Sequence, residues 1–320
     1  MNQKIKVLIY IVILIFTIMA CGNSINSNIS SELGIIIDYK GEYFEKSVFK
    51  TGGEMIYICG IKSDGSYFLG NMKMEENYLQ ELPIVIPKEM RVINMAIDTY
   101  GNCHMLWVSV EKYFNNDEEF DKMTFEKSLI VKVNSEGKVE KKLDVSEIIS
   151  EKRIRPYCFT VDNEGNYYFE NNSDTSEIIK LNSNGYLEAY IFCNGNNIEA
   201  IGYGKSGTVY CIYVNPNKEE AIGKLVENKF VSCEVVLPEA DATYRSINAG
   251  IDTELLLYNK DSGVYTYDLN ANFVEQCMQG SELPICGQNV NGYGFLGDGR
   301  LCLMTQESGN TIFYYLPVGK

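Results

Sequence analysis

Residues 161–169 of this 320-residue chain read Val-Asp-Asn-Glu-Gly-Asn-Tyr-Tyr-Phe, and variants of this segment recur along the sequence. The centre of the segment has turn chemistry, because Asp162 and Asn163 favour tight turns and Gly165 can adopt a positive φ. The aromatic residues that follow have high β-strand propensity. The segment therefore predicts a tight turn that leads into a strand.

Related turns followed by strand-forming residues occur at residues 64–68, 98–102, 204–210 and 297–301. The turn glycines are Gly65, Gly101, Gly165, Gly207 and Gly299, at intervals of 36, 64, 42 and 92 residues. Because 92 is twice 46, we expect a further copy near residue 253, where residues 249–258 carry an eroded turn. The interval of 64 predicts one period plus an inserted loop, which we place at residues 113–126.

A second pattern follows the first and consists of an alternating strand that ends in an Asn-rich turn. Residues 129–137 and 178–185 match each other closely, and residues 222–226 and 264–270 are weaker copies. The two patterns together describe one supersecondary unit that is repeated several times. Such repetition is typical of a β-propeller, in which each unit is one blade of a ring.

We therefore predict an all-β fold, a β-propeller of about six blades with seven possible, over residues 34–320. The 23 tyrosines agree with this fold class, because tyrosine favours half-buried sheet surfaces. Ring closure would pair residues 311–316 with an N-terminal strand, either residues 35–39 or residues 43–49. That pairing would cover two sheet edges that would otherwise be exposed.

The N-terminus has the pattern of an export signal. Lys4 and Lys6 precede an apolar run at residues 7–20. Its length of about 14 residues is typical of a signal peptide and shorter than the roughly 20 residues that span a membrane. The run ends in Ile-Met-Ala-Cys, which resembles the lipobox of bacterial lipoproteins. The resemblance implies a signal peptide at residues 1–20 and lipidation of Cys21 as the first mature residue, on the extracytoplasmic side of the cell membrane. The alternative is an uncleaved signal anchor.

Residues 21–33 are rich in Asn and Ser and are expected to form a flexible tether. The formal net charge is −15, and it becomes −17 when Lys4 and Lys6 are removed, with 26 basic and 43 acidic residues left. Such a surface repels phosphate backbones, so we expect no nucleic-acid partner. Charge would not hold the protein on anionic lipid either, so membrane attachment depends on the anchor.

The pattern Asp-x-x-Gly-Asn-x-Tyr, followed by Ile-x-Lys-x-Asn-x-x-Gly, resembles the repeat of NHL-type and related six-bladed propellers across residues 50–310. The resemblance implies an architecture and brings no catalytic residues with it. The lipobox, the tether and the tyrosine-rich repeats are also similar to the N-terminal half of some Gram-positive lipoproteins that carry a solute-binding domain after a propeller. This chain ends at Lys320, where such a domain would begin, so the domain is expected to be absent or separately encoded.

Nine cysteines follow Cys21, an odd number without a Cys-x-x-Cys pair. Cys103, Cys211 and Cys302 each lie two to four residues after a turn glycine, in aromatic or aliphatic strands. Buried free thiols explain this placement better than disulfides or metal ligands. His104 is the only histidine, and we expect it to have a structural role in its strand.

Four aspartates, Asp64, Asp98, Asp162 and Asp252, occupy comparable turn positions. We expect them to cap the local backbone, although carboxylates facing the axis of a propeller could instead hold calcium or act as acids and bases. Residues 202–207 are Gly-rich, but they open a strand and are read as a hairpin rather than a phosphate-binding loop. Trp107 and the tyrosines could form a stacking platform for a sugar or peptide, or pack between blades.

The function predicted from these features is that of a non-catalytic, lipid-anchored propeller that offers one face to a protein or small-molecule partner. We assign no catalytic, cofactor-binding or metal-binding residues, and we expect residues 113–126 to contribute to partner capture. One alternative is a propeller hydrolase or lyase whose channel metal is held by Asp, Glu and Asn side chains. Another is a truncated or split solute-capture component of a transport system.

Overall fold

The computed structural model describes residues 39–40, 45–52, 54–61, 67–73, 79–110, 125–149, 154–171, 176–238, 247–249, 254–259, 263–279, 290–307 and 310–317. Within these ranges the chain forms 24 β-strands and one four-residue helix, α1 (Ser146–Ile149). No helix among the described residues is long and apolar enough to cross a membrane.

The strands form six four-stranded antiparallel sheets, each of which is one blade. Blade 1 contains β2 (Glu45–Gly52), β3 (Met55–Ile61), β4 (Tyr67–Lys73) and β5 (Gln80–Glu81). Blade 2 contains β6 (Met90–Ile97), β7 (Cys103–Val110), β8 (Phe125–Val133) and β9 (Val139–Asp144). Blade 3 contains β10 (Ile154–Val161), β11 (Tyr167–Asn171), β12 (Glu177–Leu181) and β13 (Leu187–Phe192).

Blade 4 contains β14 (Asn197–Tyr203), β15 (Val209–Val214), β16 (Glu220–Val226) and β17 (Lys229–Val236). Blade 5 contains β18 (Ile247–Ala249), β19 (Leu255–Asn259), β20 (Gly263–Tyr267) and β21 (Phe273–Gln279). Blade 6 contains β22 (Val290–Phe295), β23 (Leu301–Glu307), β24 (Asn310–Leu316) and β1 (Tyr39–Lys40).

The first strands of the blades form the inner wall of a closed ring. The strands β2, β6, β10, β14, β18 and β22 contact one another in that order, and β22 contacts β2 again. The predicted all-β propeller is therefore confirmed, with six blades. Residues 249–258 lie at the transition from β18 to β19 and belong to blade 5, as the spacing predicts, although residues 250–253 lie outside the described residues.

Ring closure joins the two ends of the chain. In blade 6, β1 pairs antiparallel with β24, with Tyr39 opposite Thr311 and Lys40 opposite Asn310. The predicted pairing with the C-terminal strand is confirmed, and residue 39 is the described part of the first candidate segment. The second candidate, residues 43–49, is wrong, because β2 starts at Glu45 and pairs with β3 as the first strand of blade 1.

The two ends of the ring carry different kinds of loop. Because the strands are antiparallel, the turns between first and second strands and between third and fourth strands lie at one end, which we call the turn face. Described turns of this face are at residues 98–102, 134–138, 162–166, 182–186, 204–208, 227–228, 268–272 and 296–300. The loops between second and third strands and the connections between blades lie at the other end, which we call the connection face.

Two sequence-based boundaries need correction. Gly65 itself lies outside the described residues, but it falls in the segment that joins β3 to β4, so it is not equivalent in position to Gly101 and Gly165. The interval of 36 residues is therefore not a blade period. The predicted insertion at residues 113–126 is placed between β7 and β8 at the connection face, but Phe125 is already part of β8 and pairs with Val110.

The hydrophobic core is divided into six clusters, each packed between two neighbouring blades. Trp107 is 1% exposed in the cluster between blades 1 and 2, so it is a packing residue and cannot stack on a ligand. The tyrosines among the largest fully buried side chains are Tyr57, Tyr167, Tyr210, Tyr258 and Tyr267. Burying each such side chain contributes roughly 1.5–3 kcal/mol, which accounts for much of the tyrosine excess by packing between blades.

Candidate functional site

Several described turns of the turn face are capped by the side chain of their own first residue. In blade 2, Oδ1 of Asp98 accepts hydrogen bonds from the amides of Tyr100 at 3.0 Å and Asn102 at 2.9 Å. Nδ2 of Asn102 donates to Oδ2 of Asp98 at 2.9 Å. Gly101 has a φ of +79°, which a residue with a side chain rarely adopts. Both carboxylate oxygens of Asp98 are thus engaged within the turn.

The same arrangement recurs around the ring. In blade 3, Oδ1 of Asp162 accepts from the amides of Glu164 and Asn166 at 2.9 and 2.8 Å. Equivalent caps are made by Asn134, Asn182 and Asp268 at the turn face and by Asn215 at the connection face. The expected capping role is confirmed for Asp98 and Asp162, whereas Asp64 and Asp252 lie outside the described residues.

Asp98 also begins a buried polar chain that links blades 2 and 3. Nε2 of His104 is 3.0 Å from Oδ2 of Asp98, and Nδ1 of His104 is 3.2 Å from the hydroxyl of Tyr167. His104 is 2% exposed, and Asp98 is 7% exposed. Burial raises the pKa of Tyr167 to about 12, so its hydroxyl keeps its proton. In the tautomer that carries its proton on Nε2, His104 donates to Asp98 and its Nδ1 accepts from the Tyr167 hydroxyl.

The charge on Asp98 is stabilised from several sides. Burial alone would raise the pKa of this carboxyl, but hydrogen bonds from His104 and Asn102 outweigh that effect and hold the pKa well below its usual range. Nζ of Lys132 is 3.5 Å from Oδ2 of Asp98 and 3.3 Å from Oε2 of Glu140. Asp98 is therefore an ionised carboxylate inside a network. The structural role expected for His104 is confirmed, since its ring joins two blades.

Tyr203 connects two blades that are not neighbours in the ring. Its hydroxyl is 3.4 Å from the carbonyl oxygen of Ile97 and donates to it. Tyr203 is the last residue of β14 in blade 4, and Ile97 is the last residue of β6 in blade 2. Blade 3 lies between these two blades along the ring, so the side chain reaches past its inner strand. Burial and the nearby charge of Asp98 raise the pKa of Tyr203.

The Gly-rich segment at residues 202–207 covers the end of β14 and most of the hairpin turn at residues 204–208 that leads into β15, as predicted. The first residue of that turn, Gly204, has no side chain to cap it, and Glu254 of blade 5 supplies the carboxylate. Oε2 of Glu254 accepts from the amide of Ser206 at 3.0 Å, and Oε1 accepts from the Ser206 hydroxyl at 2.5 Å. Glu254 is 5% exposed, so this is a buried cap contributed by a neighbouring blade.

Eight described cysteines are free thiols, six of them buried, which confirms the prediction for most of the nine that follow Cys21. Burial raises the pKa of Cys59 and of Cys193 to about 12, so these sulfurs are neutral and poor nucleophiles at physiological pH. Cys21 and Cys286 lie outside the described residues. No group of three or more Cys, His, Asp or Glu among the described residues could hold a metal ion.

The sequence did not identify Lys132, Tyr203 or Glu254 as members of these networks. Tyr203 and Glu254 act on segments of other blades, so local patterns carry no signal for their partners. Glu254 leaves one trace in the sequence, because a glycine at position 204 occupies the place that Asp98 and Asp162 fill in the preceding blades. The networks can hold turns and blades in position relative to one another. Their carboxylates, Asp98 and Glu254, are hydrogen-bonded to protein groups.

Comparison with known proteins supports the propeller fold and shows no family or function. No family model matches the sequence, and no curated protein matches it. The chain is similar in structure to the allergen Mala s 1 of Malassezia sympodialis, with a TM-score of 0.58 and 12% identity over 88% of this chain and 95% of that one.

Two further solved structures have different activities. An oligogalacturonate lyase in complex with manganese has a TM-score of 0.54 and 8% identity over 82% of this chain and 74% of that one. A glucose dehydrogenase has a TM-score of 0.54 and 10% identity over 87% of this chain and 98% of that one. At such low identity these similarities show the propeller fold alone.

Proposed function

We propose that this protein is a lipid-anchored propeller outside the cytoplasmic membrane that binds a protein or small-molecule ligand without catalysing a reaction. The observation that supports a non-catalytic role most strongly is the engagement of the acidic and imidazole groups at the turn face. Asp98, His104 and Glu254 are buried, and each is hydrogen-bonded to neighbouring protein groups. A general acid or base must reach a substrate, and these groups reach only the fold itself.

The connection face is the better candidate for ligand binding. At the turn face, the described turns are short and hydrogen-bonded, and the Tyr203 side chain is hydrogen-bonded to the carbonyl of Ile97. The connection face carries the segment between Val110 and Phe125, the longest interval between paired strands within a blade. Long loops on a rigid scaffold are the usual place for recognition in propellers, since they vary without disturbing the sheets.

The proposed attachment rests on the sequence, because Cys21 lies outside the described residues. A mature charge of −17 gives no electrostatic attraction to anionic lipid, so attachment to a membrane would depend on the N-terminus, through a lipid on Cys21 or an uncleaved signal anchor. Replacing Cys21 with Ala in a bacterium that processes lipoproteins tests this. We expect the wild type in the membrane fraction and Cys21→Ala shifted out of it or retained as the longer precursor. Equal membrane retention at the mature mass would contradict lipidation.

Ligand binding can be tested by comparing the two faces. One variant replaces residues 111–124 with a short Gly-Ser linker, and a matched control inserts the same linker at the turn-face hairpin between Glu227 and Asn228. Both proteins are cross-linked in intact cells and purified with their partners, after their unfolding transitions are shown to be similar. We expect capture to be lost only in the first variant. Full capture by that variant would contradict a role for this loop, and a stoichiometric metal in the wild type would favour the enzyme alternative.

A further inference from the structure

The chain contains three Asn-Gly pairs, Asn184-Gly185, Asn194-Gly195 and Asn291-Gly292. An asparagine that precedes glycine is prone to deamidation, because the backbone nitrogen of the glycine can attack the side-chain carbonyl carbon with little steric hindrance. Whether it does so in a folded protein depends on how firmly the surrounding turn is held. Two of the three pairs lie in turns, and the structure shows that these two turns are held with different firmness.

Asn194 and Gly195 are the central residues of a tight turn between Cys193 and Asn196. Their φ angles are +56° and +77°, and the amide of Asn196 donates to the carbonyl of Cys193 at 3.0 Å. These are the features of a type I′ turn. Both central residues are exposed, and among the described residues only the chain neighbours of Gly195 approach within 4 Å of the position that a Cβ would take there. Within the described part of the chain, nothing accepts a hydrogen bond from the Gly195 amide.

Asn184 and Gly185 are held much more firmly. The amide of Gly185 donates to the carbonyl of Asn182 at 2.8 Å, and Oδ1 of Asn184 accepts from Nζ of Lys141 at 3.1 Å. A Cβ on Gly185 would lie 3.3 Å from the side chain of Leu143 in blade 2. The attacking nitrogen and the attacked amide are therefore both restrained, and the turn rests on a neighbouring blade.

We propose that Asn194 is a site of spontaneous deamidation in the folded protein. The Gly195 nitrogen loses its proton to solvent base and forms a bond to Cγ of Asn194, and the bond from Cγ to the side-chain nitrogen breaks, releasing ammonia. Water then opens the resulting succinimide at either carbonyl, which gives aspartate or isoaspartate at position 194. The reaction consumes one water, releases one ammonia and involves no redox step.

The location gives this change a structural consequence. Residues 193–196 form the whole connection between β13 of blade 3 and β14 of blade 4. Isoaspartate adds one backbone carbon to that short connection, and either product adds a negative charge. Ring closure of the succinimide requires the turn to open transiently, and opening is easiest where no neighbouring blade packs on the turn.

The test uses the wild-type chain incubated at mildly alkaline pH, with deamidation followed at each site by peptide mass spectrometry. The same measurement in denaturant gives the intrinsic rate of each sequence, so the folded-to-denatured rate ratio isolates the effect of structure. We expect that ratio to be roughly tenfold higher at Asn194 than at Asn184, since two additional hydrogen bonds restrain the latter. The absence of product at Asn194 in the folded chain, or a ratio there no higher than at Asn184, would overturn the proposal.

Two variants sharpen the comparison. Asn194→Gln lengthens the side chain by one methylene and should remove the product at that site while leaving Asn184 unchanged. Lys141→Ala releases Oδ1 of Asn184 and should raise the ratio at Asn184 toward that of Asn194. An unchanged ratio at Asn184 in a folded Lys141→Ala protein would show that restraint by neighbouring groups does not set the rate.

Discussion

The carboxylate of Glu254 in blade 5 occupies the space that a side chain on Gly204 in blade 4 would need. A Cβ built on Gly204 would lie 2.3 Å from Oε1 of Glu254. The amide of Ser206, which an aspartate at the first turn position would bind, is bound instead by Glu254. The turn in blade 4 is thus capped from the neighbouring blade. The carboxylate of Glu254 replaces the capping side chain that Gly204 lacks.

This relationship predicts strong coupling between the two positions. Gly204→Asp should destabilise the protein by about 2–3 kcal/mol because of the close contact with Glu254. Glu254→Ala should cost about 1–3 kcal/mol because the Ser206 amide loses its buried acceptor. The double variant should be more stable than the sum of these losses, since an aspartate at position 204 can then cap its own turn. A double-mutant cycle in denaturant measures the coupling, and simple additivity would contradict it.

Asp98 should contribute to stability in a pH-dependent way. Its folded-state pKa lies below the unfolded value of about 3.9, so its contribution is present above that pH and is lost as the pH falls toward the folded-state value. Asp98→Asn should lower the free energy of unfolding at pH 7 by about 2 kcal/mol and flatten its decline below pH 5. Unfolding midpoints measured from about pH 7 down to about pH 2 check this, since most of the loss lies below the unfolded pKa of Asp98.

Asp268→Asn is the matched control for that experiment. Asp268 heads an equivalent turn in blade 5 and accepts hydrogen bonds from the amides of Asn270 and Asn272, but in the described structure it has no histidine partner. Its replacement should leave most of the acid dependence in place. If Asp98→Asn and Asp268→Asn flatten the profile equally, the buried chain through His104 has no special role.

The thiols should react in the order of their burial. Cys233 and Cys277 are half-buried, and burial raises the pKa of each, so a maleimide should modify them slowly in the native state. The buried thiols, such as Cys59 and Cys302, should react only on unfolding. Site-resolved mass spectrometry after pulse labelling distinguishes the groups. Rapid native labelling of a buried cysteine would contradict the packing described between blades.

Removal of β1 should open the ring. A variant that begins at residue 45 lacks the strand that covers the edge of β24, so the backbone groups of Thr311 and Asn310 lose their partners. We expect a loss of several kcal/mol in unfolding free energy and a greater tendency to aggregate. A variant that begins at residue 34 keeps Tyr39 and Lys40 and is the control. Equal stability of the two variants would show that closure through β1 contributes nothing.

The sequence repeat predicts the propeller correctly because the residue types in each copy favour a tight turn by themselves. Gly165 and its flanking Asp162 and Asn166 form the turn that their residue types favour, and the strands on both sides follow. The same local preference explains why the sequence does not show at which end of blade 1 the segment around Gly65 lies. Turns of this chemistry occur at both ends of a blade, as Asn215 shows at the connection face, so Gly65 could not be assigned to an end by its sequence.

The polar networks could be anticipated only one residue at a time. The sequence predicts a structural role for His104 because it is the only histidine and lies in a strand, but its partner Tyr167 is in another blade. The hydrogen bond between Tyr203 in blade 4 and Ile97 in blade 2 links blades that are not adjacent, and no local sequence pattern predicts it. Closure presented the same difficulty, because residues 35–39 and 43–49 have similar strand propensity and only the assembled ring distinguishes them.

The mass of the mature N-terminal peptide, from protein extracted out of bacterial membranes, tests the proposed anchoring most directly. Lipidation predicts a peptide that begins at Cys21 and carries a thioether-linked diacylglycerol, with residues 1–20 removed. A membrane-extracted protein whose N-terminal peptide begins at Met1, or begins at Cys21 with an unmodified thiol, would contradict it.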